Sequence, residues 1–233
     1  MVRHGQAGPR HDYDRLSKLG ERQARLLGEH LAAQGAEFVA AYTGSLQRQK
    51  RTASLVARAY DDAGLGFPEL IEDPLWDEFD LDALYRALAD PLRDDDSVFR
   101  RELEVMTRSI ENGDAQVHRS HNYCDIAVVR AWTSGRYRYG GESWLDFQER
   151  IASAFRKLSS HGSGKKIAVF TSATPIALAM GRALKLADQE IWRLAGATYN
   201  SGLSTLRLAE EGLRVFTFNS VPHLNDPDLL SFR

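Results

Sequence analysis

Arg3, His4 and Gly5 stand side by side in the stretch MVRHGQAG. An imidazole can serve as a base, a metal ligand or a nucleophile. An arginine beside it favours an anionic substrate, because its planar fork matches the geometry of a phosphoryl group. Glycine lets the backbone come close to such an anion. A tripeptide is weak by itself, since a solvent-facing histidine reads the same way. Far along the chain, IAVFTSATPIALAM carries a second group of polar side chains, Thr171, Ser172 and Thr174, ahead of Pro175. It reads as a strand running straight into a helix, and ligands of open α/β sheets sit beyond the carboxyl ends of strands.

These residues need elements to hold them. LSKLGERQARLLGEHLAAQG puts Leu19, Leu26, Leu27 and Leu31 near helical spacing and stops at Gly35. EFVAAYTG reads as a strand. SLQRQKRTASLVARAYDDAG reads as a helix with Ser45 as N-cap and Gly64 past its end. GESWLDFQERIASAFRKLSSHG opens on a capping-box-like pair, Ser143 and Asp146, and aligns Trp144, Phe147, Ile151, Phe155 and Leu158 on one apolar face. KKIAVFT suits a buried strand. Thr174 can cap the next helix, with Pro175 at its first position. GLSTLRLAEEGLRVFTFN alternates on both sides of EEG, which predicts an antiparallel hairpin. Strands alternating with helices predict an α/β sheet covered on both faces. From about residue 80 to 132 the rhythm breaks. LDALYRAL and DDSVFRRELEVMTRSIENG look helical, with no clear strand between. The chain, 1–233, therefore reads as one domain with a helical insertion.

Bulk composition narrows the function classes. With 233 residues, 43% hydrophobic and 27% charged, the chain is of ordinary globular type, and such a length buries roughly 70% of the surface an unfolded chain exposes. One cysteine, Cys124, allows no internal disulfide and fits a reducing compartment; it reads as a small buried hydrophobe. Thirty basic residues against 32 acidic ones give a net charge of −2. Without a basic tail or stripe, nucleic acid is not an expected partner. No apolar run approaches the ~20 residues of a membrane span, and the sequence opens on charged and polar residues rather than a leader. A cytoplasmic protein is expected, with no membrane partner. Asp94, Asp95 and Asp96 are expected to cap a helix. His118, His121, His161 and His223 show no metal-ligand spacing, and His161 in SSHGSG reads as a surface loop residue.

VRHGQAG, YDRLSKLGERQARLLGEHL, SLQRQKRTASLVA, WDEFD, GGESWLDFQERI and FNSVPHL occur in this order. Together they resemble the histidine phosphatase superfamily, the phosphoglycerate-mutase-like fold, over nearly the whole chain except the helical middle. The resemblance implies a three-layer α/β/α sandwich around a mostly parallel central sheet. It implies that His4 is the nucleophile taking the phosphoryl group, that Arg3 and Arg48 bind its oxygens with Gly5 beside them, and that Glu78 is the proton donor. No metal or other cofactor is implied. The sequence departs from the pattern in three places. The glycine that often follows the glutamate motif is absent. Ser172 stands where the second pocket histidine is expected; a hydroxyl can donate one hydrogen bond there but brings no positive charge. Only Met1 and Val2 precede Arg3: either residues upstream of Met1 are missing or the first strand is very short, and such a stub is expected to hold His4 less rigidly.

The resulting expectation is a phosphomonoesterase working through a phosphohistidine on His4, with a small phosphorylated substrate or a phosphoprotein as its partner. Ser172 motivates an alternative, a weak or inactive relative that binds a phosphorylated ligand. A phosphoglycerate-type mutase is the third reading. Substrate specificity is expected from the helical middle, which offers Arg100, Arg101, Arg108, Arg119 and Tyr123. No motif specifies an oligomeric state.

Overall fold

In the computed structural model, which describes residues 1–9, 12–112, 122–209 and 212–232, the strands with the most continuous apolar character lie in the interior of a six-stranded sheet. The strands are β1 (Val2–Arg3), β2 (Ala40–Thr43), β3 (Leu70–Glu72), β4 (Ile167–Thr171), β5 (Leu203–Ala209) and β6 (Gly212–Ser220). The helices among the described residues are α1 (Lys18–Ala33), α2 (Gln47–Asp62), α3 (Leu81–Asp95), α4 (Ser97–Glu111), α5 (Asn122–Ser134), α6 (Trp144–Leu158), α7 (Ala173–Leu184) and α8 (Asp188–Ala197). The chain divides into two compact units, Met1–Glu78 with Arg150–Arg233, and Phe79–Glu149.

In the first unit the strand order is β3-β2-β4-β1-β5-β6. β1, β2, β3 and β4 run parallel, while β5 lies antiparallel to β1, and β6 to β5. The α/β architecture with a mostly parallel sheet is therefore as expected, and the hairpin forms where the alternation placed it; Glu210 and Glu211 at its tip lie outside the described residues. Val2, Ala41, Ala168 and Phe170 on one face of the sheet pack with Leu27 and Ala32 of α1 and with Ala53, Val56 and Tyr60 of α2. Helix α7 is buried from Thr174 to Gly181 and meets β1, β6 and α8.

Helix ends show which local signals survive tertiary packing. Ser17 caps α1 by accepting from Gly20 N, and Gly35 and Gly64 lie beyond α1 and α2 with φ of 61° and 70°, the left-handed conformation that glycine adopts without strain. The reciprocal bonds between Ser143 and Asp146 form, and all five residues of the predicted apolar face of α6 are buried. Two caps differ from expectation. Helix α2 has Leu46, not Ser45, at its N-cap, and the Ser45 N–H and hydroxyl both donate to Asp77. Helix α7 has Ser172 at its N-cap, so Thr174 and Pro175 lie two positions further in than expected. His161 is not a free loop residue; its Nε2 meets the Tyr42 hydroxyl at 2.8 Å.

The second unit is helical. Asp80 caps α3, and Asp96 caps α4 through Val98 N and Phe99 N. Phe79, Trp132, Trp144 and Phe147 form an aromatic cluster, with the Trp132 indole N–H donated to Glu142 O. Cys124 is buried in α5. The polar side chains of this middle region are engaged locally: Arg100 with Arg93 O, Arg101 with Glu102, Arg108 with Glu104, and Tyr123 with Asp96. Arg119, His118 and His121 lie outside the described residues.

Phe170 is fully buried at the centre of the first unit's core. Phe170→Ala is expected to cost about 3–5 kcal/mol, the usual range for emptying an aromatic core site, read as a lowered midpoint in urea unfolding. A loss below about 1 kcal/mol would mean that the site collapses around the gap.

Candidate active site

All four parallel strands end at the same edge of the sheet, and each is followed by one of the residues with reactive or ionic side chains. His4 follows β1, Arg48 follows β2, Glu78 follows β3 and Ser172 follows β4. The parallel register is what converges four distant pieces of sequence.

His4 is held through its backbone on both sides. Its N–H donates to Thr171 O at 2.9 Å. Its carbonyl accepts from Ser201 N and from Asn200 Nδ2, each at 3.2 Å. Arg3 N donates to Gly202 O, and Ser204 N to Met1 O. The shortness of β1 therefore does not loosen the histidine, contrary to expectation, because the strand is inserted between β4 and β5. Gly5 makes a close approach to helix α1: a Cβ on it would lie 2.3 Å from Gly20 O. Its N–H donates to Thr52 Oγ1, which in turn donates to Arg48 O.

The His4 ring is buried. Nδ1 lies 2.7 Å from Gly5 O, an acceptor only, so Nδ1 carries the proton and Nε2 presents a lone pair. Arg48 Nε donates to that lone pair at 3.2 Å. Burial, then Arg48, then Arg3 hold the imidazole well below the ordinary histidine range, against a smaller opposing effect of Gly5 O. The ring is neutral at pH 7 and nucleophilic at Nε2. Arg3 is buried too, donating through one terminal nitrogen to Thr198 O, hydrogen-bonded to the Tyr13 side chain and lying in the field of Glu78; its Nε has no partner among the described residues. Glu78 Oε2 accepts from Thr174 N in the first turn of α7, at 3.1 Å.

Ser172 is buried, and its Oγ accepts from Gln49 Nε2 at 2.8 Å. That bond occupies a lone pair of the hydroxyl and leaves its proton to be donated elsewhere. Arg3, His4, Gly5, Arg48, Glu78 and Ser172 are thus gathered along one strand edge. Several residues of the same network were assigned no role from sequence: Tyr13, Asp14, Gln49, Thr52, Asn200, Ser201 and His223. Asp14 binds Arg48 Nη1 at 2.9 Å. His223 Nε2 lies 2.8 Å from Ser201 Oγ, so it steadies the loop that binds the His4 carbonyl; Ser201 has φ of 55°. The tail joins the same network, since Gln23 donates to Leu229 O and Ser231 Oγ, and Ser231 donates to Asn200 Oδ1. FNSVPHL was the available signal for His223, as YDRLSKLG was for Tyr13 and Asp14 and SLQRQKRTASLVA for Gln49 and Thr52; no such stretch marks Asn200 and Ser201. Among the described residues, no group of three or more His, Cys, Asp or Glu could hold a metal ion.

A family model described as histidine phosphatase superfamily (branch 1) matches residues 1–124 and 119–221. A search of curated protein sequences gave no match. Among solved structures, YhfR of Bacillus stearothermophilus superimposes with a TM-score of 0.62 at 17% identity, covering 96% of this chain and 97% of that one. A phosphoserine phosphatase from Entamoeba histolytica, in complex with 3-phosphoglyceric acid, gives 0.60 at 17% identity, covering 96% of each chain. A mycobacterial glucosyl-3-phosphoglycerate phosphatase complexed with VO3 gives 0.59 at 18% identity, covering 94% of this chain and 97% of that one. At such identities the likeness is one of fold.

The two buried histidines make acid stability a test of this network. Burial, with a smaller contribution from His30, lowers His223 from the ordinary 6.5 to about 4. As pH falls below about 6.5 the unfolded chain takes up a proton at this position while the folded chain does not. Stability is therefore complete above about pH 6.5 and lost progressively toward pH 4. His223→Gln, which keeps a polar group near Ser201, is expected to flatten the fall in urea midpoint between about pH 6.5 and 4.5. An unchanged slope would mean that His223 titrates alike in both states.

Proposed function

This chain belongs to the histidine phosphatase superfamily, and from that premise we propose that it hydrolyses a phosphate monoester through a phosphohistidine on His4. The observation that carries the reading is the buried, neutral His4 with Nδ1–H fixed on Gly5 O and Nε2 directed at Arg48. Phosphoryl transfer asks mainly for positioning and neutralisation of oxygen charge, and Arg3 and Arg48 bring two guanidinium groups to the nucleophile.

In the proposed reaction the phosphoryl oxygens take the donors of Arg3 and Arg48, and Arg48 Nε leaves His4 Nε2. Nε2 attacks phosphorus in line. The ester P–O bond breaks, its electron pair stays on the departing oxygen, and the Glu78 carboxyl gives that oxygen a proton. A water then attacks the phosphohistidine and gives its proton to the Glu78 carboxylate. The P–N bond breaks with its electron pair returning to Nε2, and inorganic phosphate leaves. The Ser172 hydroxyl supplies a further neutral donor to a phosphoryl oxygen. The substrate is a small phosphorylated molecule or a phosphoprotein; the relatives above bear the names of phosphatases acting on phosphoserine and glucosyl-3-phosphoglycerate. No helix among the described residues is long and apolar enough to cross a membrane, and the single cysteine supports a cytoplasmic setting.

Ser172 favours a second reading, a site that binds phosphate esters without turning them over. Release of phosphate from an aryl phosphate separates the two. Rapid quenching with a labelled phosphodonor is expected to give an acid-labile, alkali-stable adduct on His4; label on serine, or turnover without label, would contradict the mechanism. Arg48→Lys keeps the charge but loses the fork. Inhibition by vanadate is expected to weaken about ten-fold or more, the usual worth of a charged hydrogen bond, and an unchanged inhibition constant would remove Arg48 from the site.

A further inference from the structure

We propose that Asp14 is an internal stand-in for the phosphoryl anion, a latch that holds Arg48 across the nucleophile until a phosphate displaces it. The inference rests on the phosphatase reading above and concerns a residue outside the set that reading uses.

Two of the donors that Arg48 offers are spoken for. Nε donates to His4 Nε2 and Nη1 to Asp14 Oδ1. The first of these bonds engages the very lone pair that must attack phosphorus, so this arrangement cannot react. Asp14 Oδ2 accepts from Gln47 N, at the start of α2, at 3.1 Å. The carboxylate therefore lies between a guanidinium and a helix N-terminal amide, the two kinds of group that bind phosphate. Tyr13, the preceding residue, places its ring 5.0 Å from the Arg48 guanidinium carbon and bonds the Arg3 side chain. The dipeptide thus touches both arginines.

The latch is built to yield. The Arg48 side chain is 9% exposed and that of Asp14 is 46% exposed, so the carboxylate can turn to solvent while the guanidinium stays buried. The base of the loop is fixed independently, by the bridge between Ala7 and Leu16 and by Gly8 N donating to Arg15 O at 2.7 Å. Opening then needs a side-chain rotation rather than loss of the loop. Because Asp14 is tethered, every incoming anion meets the same opening cost. A uniform cost of this kind raises KM and leaves kcat alone.

Asp14→Asn keeps the size and an acceptor but removes the charge. Inorganic phosphate, titrated by calorimetry at about pH 7.5, is expected to bind the variant more tightly than wild type by about ten-fold or more, scaled to one charge-assisted hydrogen bond. KM for an aryl phosphate should fall by a similar factor with kcat unchanged. In an Arg48→Met background the substitution should have no effect on phosphate affinity, since the latch acts through that guanidinium. Unchanged or weaker phosphate binding by Asp14→Asn would overturn the proposal and make Asp14 a support for Arg48. An effect that persists without Arg48 would overturn it as well. If wild type binds phosphate and the variant gains nothing, the latch alone fails. If neither protein binds phosphate, the phosphatase reading fails and the latch with it.

Discussion

The hydrogen bond from His4 Nδ1 to the Gly5 carbonyl sets the terms for everything around it. It fixes which nitrogen is protonated, and so which one can act. A ring held this way must stay neutral, and two nearby guanidinium groups and deep burial ensure that. The bond also requires the peptide after His4 to keep one orientation. The backbone is fitted to that need: Gly5 N is tied to Thr52, and Gly5 lies too close to Gly20 for any larger residue. Substituting either glycine with alanine would force the loop away from α1, and with it the acceptor that fixes the tautomer.

The segment after β3 organises the other half of the site. Asp77 and Glu78, adjacent in sequence, each serve a different helix, Asp77 through the Ser45 N–H and hydroxyl ahead of α2, and Glu78 through Thr174 N in α7. Arg150 donates to the carbonyls of Pro74, Leu75 and Asp77 and so fixes the segment from which both carboxylates project. The carriers of Arg48 and Ser172 are in this way referenced to one short stretch of chain. Thr171 Oγ1 and Gln49 Nε2 both donate to Trp76 O, a further tie to the same stretch.

Much of this was legible in the sequence, for a physical reason. Arg3, His4, Arg48 and Glu78 each follow a parallel strand, and a parallel sheet brings such positions together whatever the connections do. Strand periodicity and the hairpin were legible because alternation is a local property. The N-caps of α2 and α7 were misread at helix starts where bonds run to carboxylates 30 or more positions away in sequence. Asp14 and Gln49 lie within recognised stretches, but nothing local assigns them a role. An aspartate in a polar loop and a glutamine in the first turn of a helix are commonplace, and only the folded chain shows that one meets Arg48 and the other Ser172. Asn200 and Ser201 were hidden for the same reason, since both bind the carbonyl of His4, which for Asn200 lies 196 positions away.

That last separation bears on how the protein acquires its chemistry. Arg3 and His4 are synthesised well before the groups that hold them, which come from positions near 171, 200 and 202. Closing loops of that length is entropically costly and slow compared with forming helices such as α1 and α2. A nascent chain emerging from the ribosome carries the reactive motif long before it has a site. The groups that bury the histidine meet only when β1 lies between β4 and β5, a long-range closure of the kind that forms more slowly than local helix. Partly folded species thereby carry the motif without the assembled site.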